Sequence, residues 1–85
     1  MYYVYILKSK KDKKLYLGYT KDLRKRLKQH NSKKTFSTKD RVPFSLVYYE
    51  AFASQKDALA REKQLKQFKS AYGQLKKRIK ESLNA

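Results

Sequence analysis

The stretch KKLYLGYTKDLRKRLKQHN, residues 13–31, gathers phenol, guanidinium and imidazole groups into one strand-to-helix junction: Tyr16, Gly18, Tyr19, Arg26 and His30. Arg26 and His30 are four residues apart, so on a helix they share a face beside Leu23 and Leu27, close to the sheet which that helix covers. A guanidinium binds oxyanions, and an imidazole handles a proton near neutral pH. On an extended strand Tyr16 and Gly18 point to the same side, and a strand glycine marks close approach by another group, here expected to be a phosphate. Each residue also has an ordinary occupation. Taken alone, Arg26 reads first as a solvated cation and His30 as a helix C-terminal residue favoured by the dipole. Tyr2, Tyr3, Tyr19, Tyr48, Tyr49 and Tyr72 read as core tyrosines with their hydroxyls at the rim.

Glu62 is the anomaly of the second half of the chain. On a helical wheel it falls between Ala58, Leu59 and Leu65, inside the apolar stripe, where an ionised carboxylate is costly unless paired or bound to a cation. One reading is a buried ion pair with an arginine. The other is a ligand for a hard cation: one carboxylate suffices for a Mg²⁺ or Mn²⁺ that keeps several waters and bonds a substrate phosphate. No second carboxylate accompanies it, which argues against a two-metal centre.

The elements that must position these groups follow from the apolar pattern. YYVYILK (2–8) and KLYLGY (14–19) are rich in β-branched and aromatic residues and flank the polar SKKDK, a hairpin pattern that brings Tyr5 near Tyr16. From Thr20 the period becomes helical, with Thr20 the expected N-cap and Asp22 a first-turn acid, and the helix is expected to end near Asn31-Ser32. A polar loop closed by Pro43 leads to the strand SLVYYEA. Ser54-Gln55-Lys56-Asp57 has the form of a capping box, opening a second helix with the stripe Ala58, Leu59, Leu65 and Phe68. A last helix, 70–83, carries Tyr72, Leu75, Ile79 and Leu83 and is weakened by Gly73. The order ββαβαα predicts an α+β domain, a small antiparallel sheet with helices packed on it.

Composition sets the remaining limits. Eighty-five residues leave room for one core, and 12 aromatics (8 Tyr and 4 Phe) with 2 Gly and 1 Pro suit a packed globule. The absence of cysteine removes disulfides and thiolate metal sites and fits a reducing compartment, so a cytoplasmic location is expected. The apolar run Tyr2–Leu7 is too short for a membrane span. Twenty-three basic residues against 7 acidic ones give a net charge of +16, which calls for a polyanionic partner. The cations are spread along the whole chain rather than confined to one amphipathic segment, which favours nucleic acid over a membrane surface.

In their order along the chain, YVY (3–5), YLG (16–18), Thr20, Asp22-Leu23, Arg26-Leu27, His30-Asn31 and AREKQLK (60–66) resemble the GIY-YIG nuclease superfamily, in particular its short single-domain bacterial members. The resemblance covers about residues 2–69 of a single 1–85 domain and implies a three-stranded antiparallel sheet flanked by helices. It also implies a site for phosphodiester hydrolysis that depends on one divalent cation, Mg²⁺ or Mn²⁺. By similarity, Tyr5 and Tyr16 are the motif tyrosines and Arg26 is the phosphate-stabilising arginine. His30 is then an acid-base or positioning group, and Glu62 the metal ligand. Tyr3 stands where the name motif has glycine. Gly18, Lys25, Lys33, Lys34, Lys39 and Arg41 form the expected nucleic-acid-contacting set. The expected activity is a DNA endonuclease, structure-selective or weakly specific and of the kind used in DNA repair. It would act as a monomer or weak dimer without a small-molecule cofactor, DNA ranking ahead of RNA. The alternative is a nucleic-acid-binding module that uses the same basic surface with negligible turnover.

Overall fold

The computed structural model describes residues 1–85. Aromatic and β-branched residues pair as β1 (Tyr2–Ser9) and β2 (Leu15–Thr20), antiparallel, with Tyr5 opposite Gly18 and Leu7 opposite Tyr16. The hairpin turn is held by Ser9, whose Oγ accepts from the Lys11 and Asp12 amides, and by Lys13 at φ 63°. β3 (Phe44–Phe52) adds to the other side of β1, giving the three-stranded order β2-β1-β3. Its register shifts once: Ile6 faces Tyr48 but Leu7 faces Leu46, so Val47 is the extra residue of a bulge.

Val4, Tyr5, Ile6 and Leu7 are all buried, as a central strand covered on both faces requires. One face packs Val4 and Ile6 against Ala58 and Leu65 of α2 (Gln55–Gln67) and Leu75 of α3 (Lys69–Arg78). The other packs Tyr5 and Leu7 against Phe44 and against Leu23 and Leu27 of α1 (Leu23–Asn31). Ser54 caps α2, its side chain accepting from the Asp57 amide. Arg61 then fastens the helix to β3 by donating from Nε and Nη2 to Glu50, which also accepts from Tyr48 at 2.6 Å.

Four local expectations are corrected. Asp22, not Thr20, caps α1: Thr20 remains paired with Tyr3 as the last residue of β2, while the Asp22 carboxylate accepts from the Lys25 amide at 3.0 Å. The Thr20 hydroxyl instead accepts from the Asp22 amide at 3.1 Å, turning the chain into the helix. Leu59 and Phe68 lie outside the α2 core stripe, 42% and 58% exposed, because Ala58 and Leu65 are the α2 residues buried against the sheet and Phe68 leaves the helix with extended backbone. Finally, the single last helix expected over 70–83 is divided at Ile79, whose φ −110°, ψ 25° separates α3, which contains Gly73, from the short α4 (Lys80–Leu83).

Candidate active site

Tyr5, Tyr16 and His30 meet on the face covered by α1. The register places Tyr16 diagonal to Tyr5, two residue pairs along the hairpin and on the same face, and their ring centroids lie 6.4 Å apart. His30, in the last turn of α1, lies 5.0 Å from the Tyr16 ring and edge-on to Phe44 at 5.9 Å. Its Nε2 is 3.0 Å from Tyr5 Oη and its Nδ1 is 2.8 Å from Thr38 Oγ1, so both ring nitrogens are used. The directions that satisfy every group run in one chain. Tyr5 donates to Nε2, Nδ1–H donates to Thr38, and Thr38 turns its proton toward the Thr35 carbonyl at 3.5 Å.

The electrostatics agree with a neutral pair. Burial pushes the His30 pKa down, and the positive charge of Arg26 pushes it further. Burial raises the Tyr5 pKa well above the ordinary phenol, with Tyr16 and the Glu62 carboxylate adding to the rise and Arg26 opposing it. Tyr5 therefore stays a phenol donating to an imidazole, and Arg26 and Glu62 both lie within electrostatic reach of that phenol. Arg26 is half-buried and borders a groove of about 330 Å³ with Tyr19, Thr20, Lys25 and Gln29, at the edge strand β2. Glu62 is less buried than the wheel suggests, its side chain 20% exposed, and its partner is not an arginine. Arg61 beside it is committed to Glu50, and Glu62 pairs with the half-exposed Lys66 at 3.1 Å.

Gly18 has a different use from the one expected. A Cβ there would lie 2.5 Å from Tyr5 Oη and 2.6 Å from Cζ, so the group in close approach is the Tyr5 ring and not a phosphate. The glycine makes the space in which Tyr5 reaches His30. Gly18→Ala is accordingly expected to push Tyr5 off His30 and cost about 1–3 kcal/mol, seen as a melting temperature lower by several degrees. An unchanged melting curve would contradict this.

Of the expected contact residues, Lys25, Lys33 and Lys34 are exposed, Lys33 at φ 63° just after α1. Lys39 lies over the Phe36 ring at 4.6 Å. Arg41 is not a free cation: its Nε bonds Asp12 at 2.7 Å and its guanidinium lies against the Phe44 ring. That bond holds the Asp12 carboxyl down at about 2. Arg41 thus ties the segment after α1 to the β1–β2 turn. Two residues support the site in roles that the sequence did not assign them. Thr38, fully buried, carried no signal inside a polar loop. Asn31 clamps Phe44 in both directions, Nδ2 to its carbonyl at 3.0 Å and Oδ1 from its amide at 2.7 Å; its place beside His30 was the available clue.

The buried neutral imidazole has a measurable consequence. An unfolded chain protonates its histidine near pH 6.5, whereas the folded one resists to lower pH, so the unfolded state binds more protons in between and stability falls as pH drops through that window. Urea midpoints are expected to fall between pH 7.5 and 5 in the wild type and to flatten in His30→Gln. A flat wild-type profile would count against a buried neutral His30.

The chain has relatives among known proteins. The family model described as the GIY-YIG catalytic domain matches residues 1–81. UPF0213 proteins of Streptococcus pyogenes, among them those of serotype M5 (strain Manfredo) and serotype M1, are 46% identical over 69 residues, spanning 80% of this chain and 74% of theirs. The solution NMR structure of a UPF0213 protein from Bacillus halodurans is 41% identical with a TM-score of 0.55, covering 88% of this chain and 82% of that one.

Proposed function

Because the chain belongs to the GIY-YIG family of nuclease domains, we propose that it is a divalent-metal-dependent endonuclease acting on DNA ahead of RNA. The observation that carries the proposal is the buried hydrogen bond between Tyr5 and a neutral His30, packed against Tyr16 and within the fields of Arg26 and Glu62. These groups suit in-line attack of water on a phosphodiester.

Arg26 neutralises charge developing on the non-bridging oxygens. Tyr16, half-exposed beside His30, orients the attacking water. His30 is held neutral and hydrogen-bonded on both nitrogens, so it fixes Tyr5 and can take a proton only through that hydrogen bond, on the Nε2 that faces Tyr5. Lys25, Lys33 and Lys34 contact the flanking backbone. Glu62 fits a hard cation: it is an oxygen donor with some exposure, and its lysine partner is itself half-exposed and displaceable. No group of three or more His, Cys, Asp or Glu side chains gathers anywhere in the chain, so Mg²⁺ or Mn²⁺ here would keep most of its waters. When bound, it supplies Lewis-acid stabilisation of the leaving oxygen.

A second reading, a basic nucleic-acid-binding module with negligible turnover, is favoured by one observation: Glu62 already has an ion-pair partner in Lys66. Incubation with single-stranded, duplex, branched and flapped DNA and with RNA, with Mg²⁺, Mn²⁺ or chelator, separates the two. No helix is long and apolar enough to cross a membrane, and we place the activity in the cytoplasm, in a monomer or weak dimer.

On either reading the charge of +16 governs affinity. Binding to oligonucleotides is expected to weaken by more than about tenfold between roughly 50 and 200 mM salt, with little sequence preference. Titrations at several salt concentrations check it, and a flat affinity would refute it.

A further inference from the structure

We propose that the groove between α1 and β3 is a stacking subsite for an unpaired nucleobase next to the phosphate at Arg26, with Tyr49 as its platform; this rests on the nucleic-acid reading above. Tyr3 and Tyr49 lie on the same sheet face as Tyr5, whose register partner is Tyr49. Their ring centroids are 5.8 Å apart at 67°, an edge-to-face contact in which Tyr3 braces Tyr49. Tyr49 is nevertheless 51% exposed, the most exposed tyrosine ring among those on the sheet. It borders a groove of about 460 Å³ with Leu23, Leu27 and Leu46 on its apolar side and the exposed Lys21 and Arg24 at its mouth.

That combination has a definite chemical complement. An aromatic ring beside leucines accepts a flat, weakly hydrated π-face, and two cations at the mouth accept an anion attached to it. A nucleotide with its base out of the helical stack has both. A base inside a duplex has its faces already occupied by neighbours. Asp22 also borders the groove, but its carboxylate is engaged with the Lys25 amide and caps α1.

The groove is also placed to act with the rest of the site. Lys21 and Asp22 border both it and the adjoining groove that contains Arg26 and Lys25. One strand can therefore lay its phosphate at Arg26 and its base on Tyr49. The consequence is a preference for unpaired nucleotides generated by a small platform and without base-edge readout, so the preference is for structure and not for sequence.

The test is binding of fluorescein-labelled oligo(dT) and of a blunt duplex of equal length, in chelator so that no cleavage intrudes, for wild type, Tyr49→Phe and Tyr49→Ala. Tyr49→Ala is expected to weaken single-strand binding about 5- to 100-fold, to leave the duplex within about twofold, and Tyr49→Phe to retain the wild-type pattern. Equal weakening of both ligands, or of neither, would overturn the proposal. As a readout independent of the variants, a single-stranded oligonucleotide carrying 2-aminopurine is expected to change its fluorescence on binding wild type at the stacked position; no change at any position would also overturn it. If wild type binds neither oligonucleotide, the nucleic-acid reading itself falls. If it binds with the expected Tyr49 dependence yet never cleaves, the subsite stands and the nuclease proposal falls.

Discussion

Arg26→Ala is expected to lower the cleavage rate by on the order of 10²–10³ while changing oligonucleotide affinity by less than about threefold. The asymmetry follows from the charge distribution. With 23 basic residues the chain has many cations to hold a polyanion, and losing one removes a small part of ground-state binding. Arg26 differs from most of them by its position. It is half-buried, and its charge opposes the rise of the Tyr5 pKa and adds to the fall of the His30 pKa, so on the proposed mechanism its guanidinium is the cation next to the reacting phosphate. Single-turnover cleavage and anisotropy titration of the same variant check the prediction. Loss of rate and affinity in equal measure would make Arg26 an ordinary phosphate contact.

Glu62→Gln carries the other large effect. The substitution keeps size and helix propensity and removes the charge, so metal-dependent cleavage is expected to fall to background. Stability should hardly move. Had Glu62 been paired with a buried arginine, neutralising it would strand a cation at about 3–5 kcal/mol. Its partner is instead Lys66, half-exposed and one helical turn away, and such a pair contributes only about 0.3–0.5 kcal/mol. The geometry thus separates a functional loss from a folding loss.

The sheet and its flanking helices were legible because they rest on short-range pattern, apolar aromatic strands, a Ser54 cap and a helical recurrence of Leu23 and Leu27, and the family because its motifs keep their order from YVY at 3–5 to AREKQLK at 60–66. What was not legible is what depends on register and on distant partners. That Tyr5 fills the space over Gly18 requires knowing that the two residues are opposite each other. Thr20 has the composition of a cap, but its pairing with Tyr3 keeps it in the strand and passes the role to Asp22. The Arg41 tether runs to Asp12, 29 residues earlier, and Thr38 bonds His30 from a loop whose sequence reads only as polar. The five candidate residues were singled out together by the family resemblance, type and spacing alone leaving each an ordinary role; the contact of Tyr5 and Tyr16 with His30 is a property of the fold.

The measurement that bears most directly on the account is a nicking assay on a branched duplex with Mn²⁺, run on wild type and Glu62→Gln beside thermal melting of both. A metal-holding Glu62 predicts cutting by wild type that chelator abolishes, none by the variant, and melting temperatures within a few degrees of each other. A variant that melts many degrees lower, or a wild type that cuts no substrate with any metal, would contradict it.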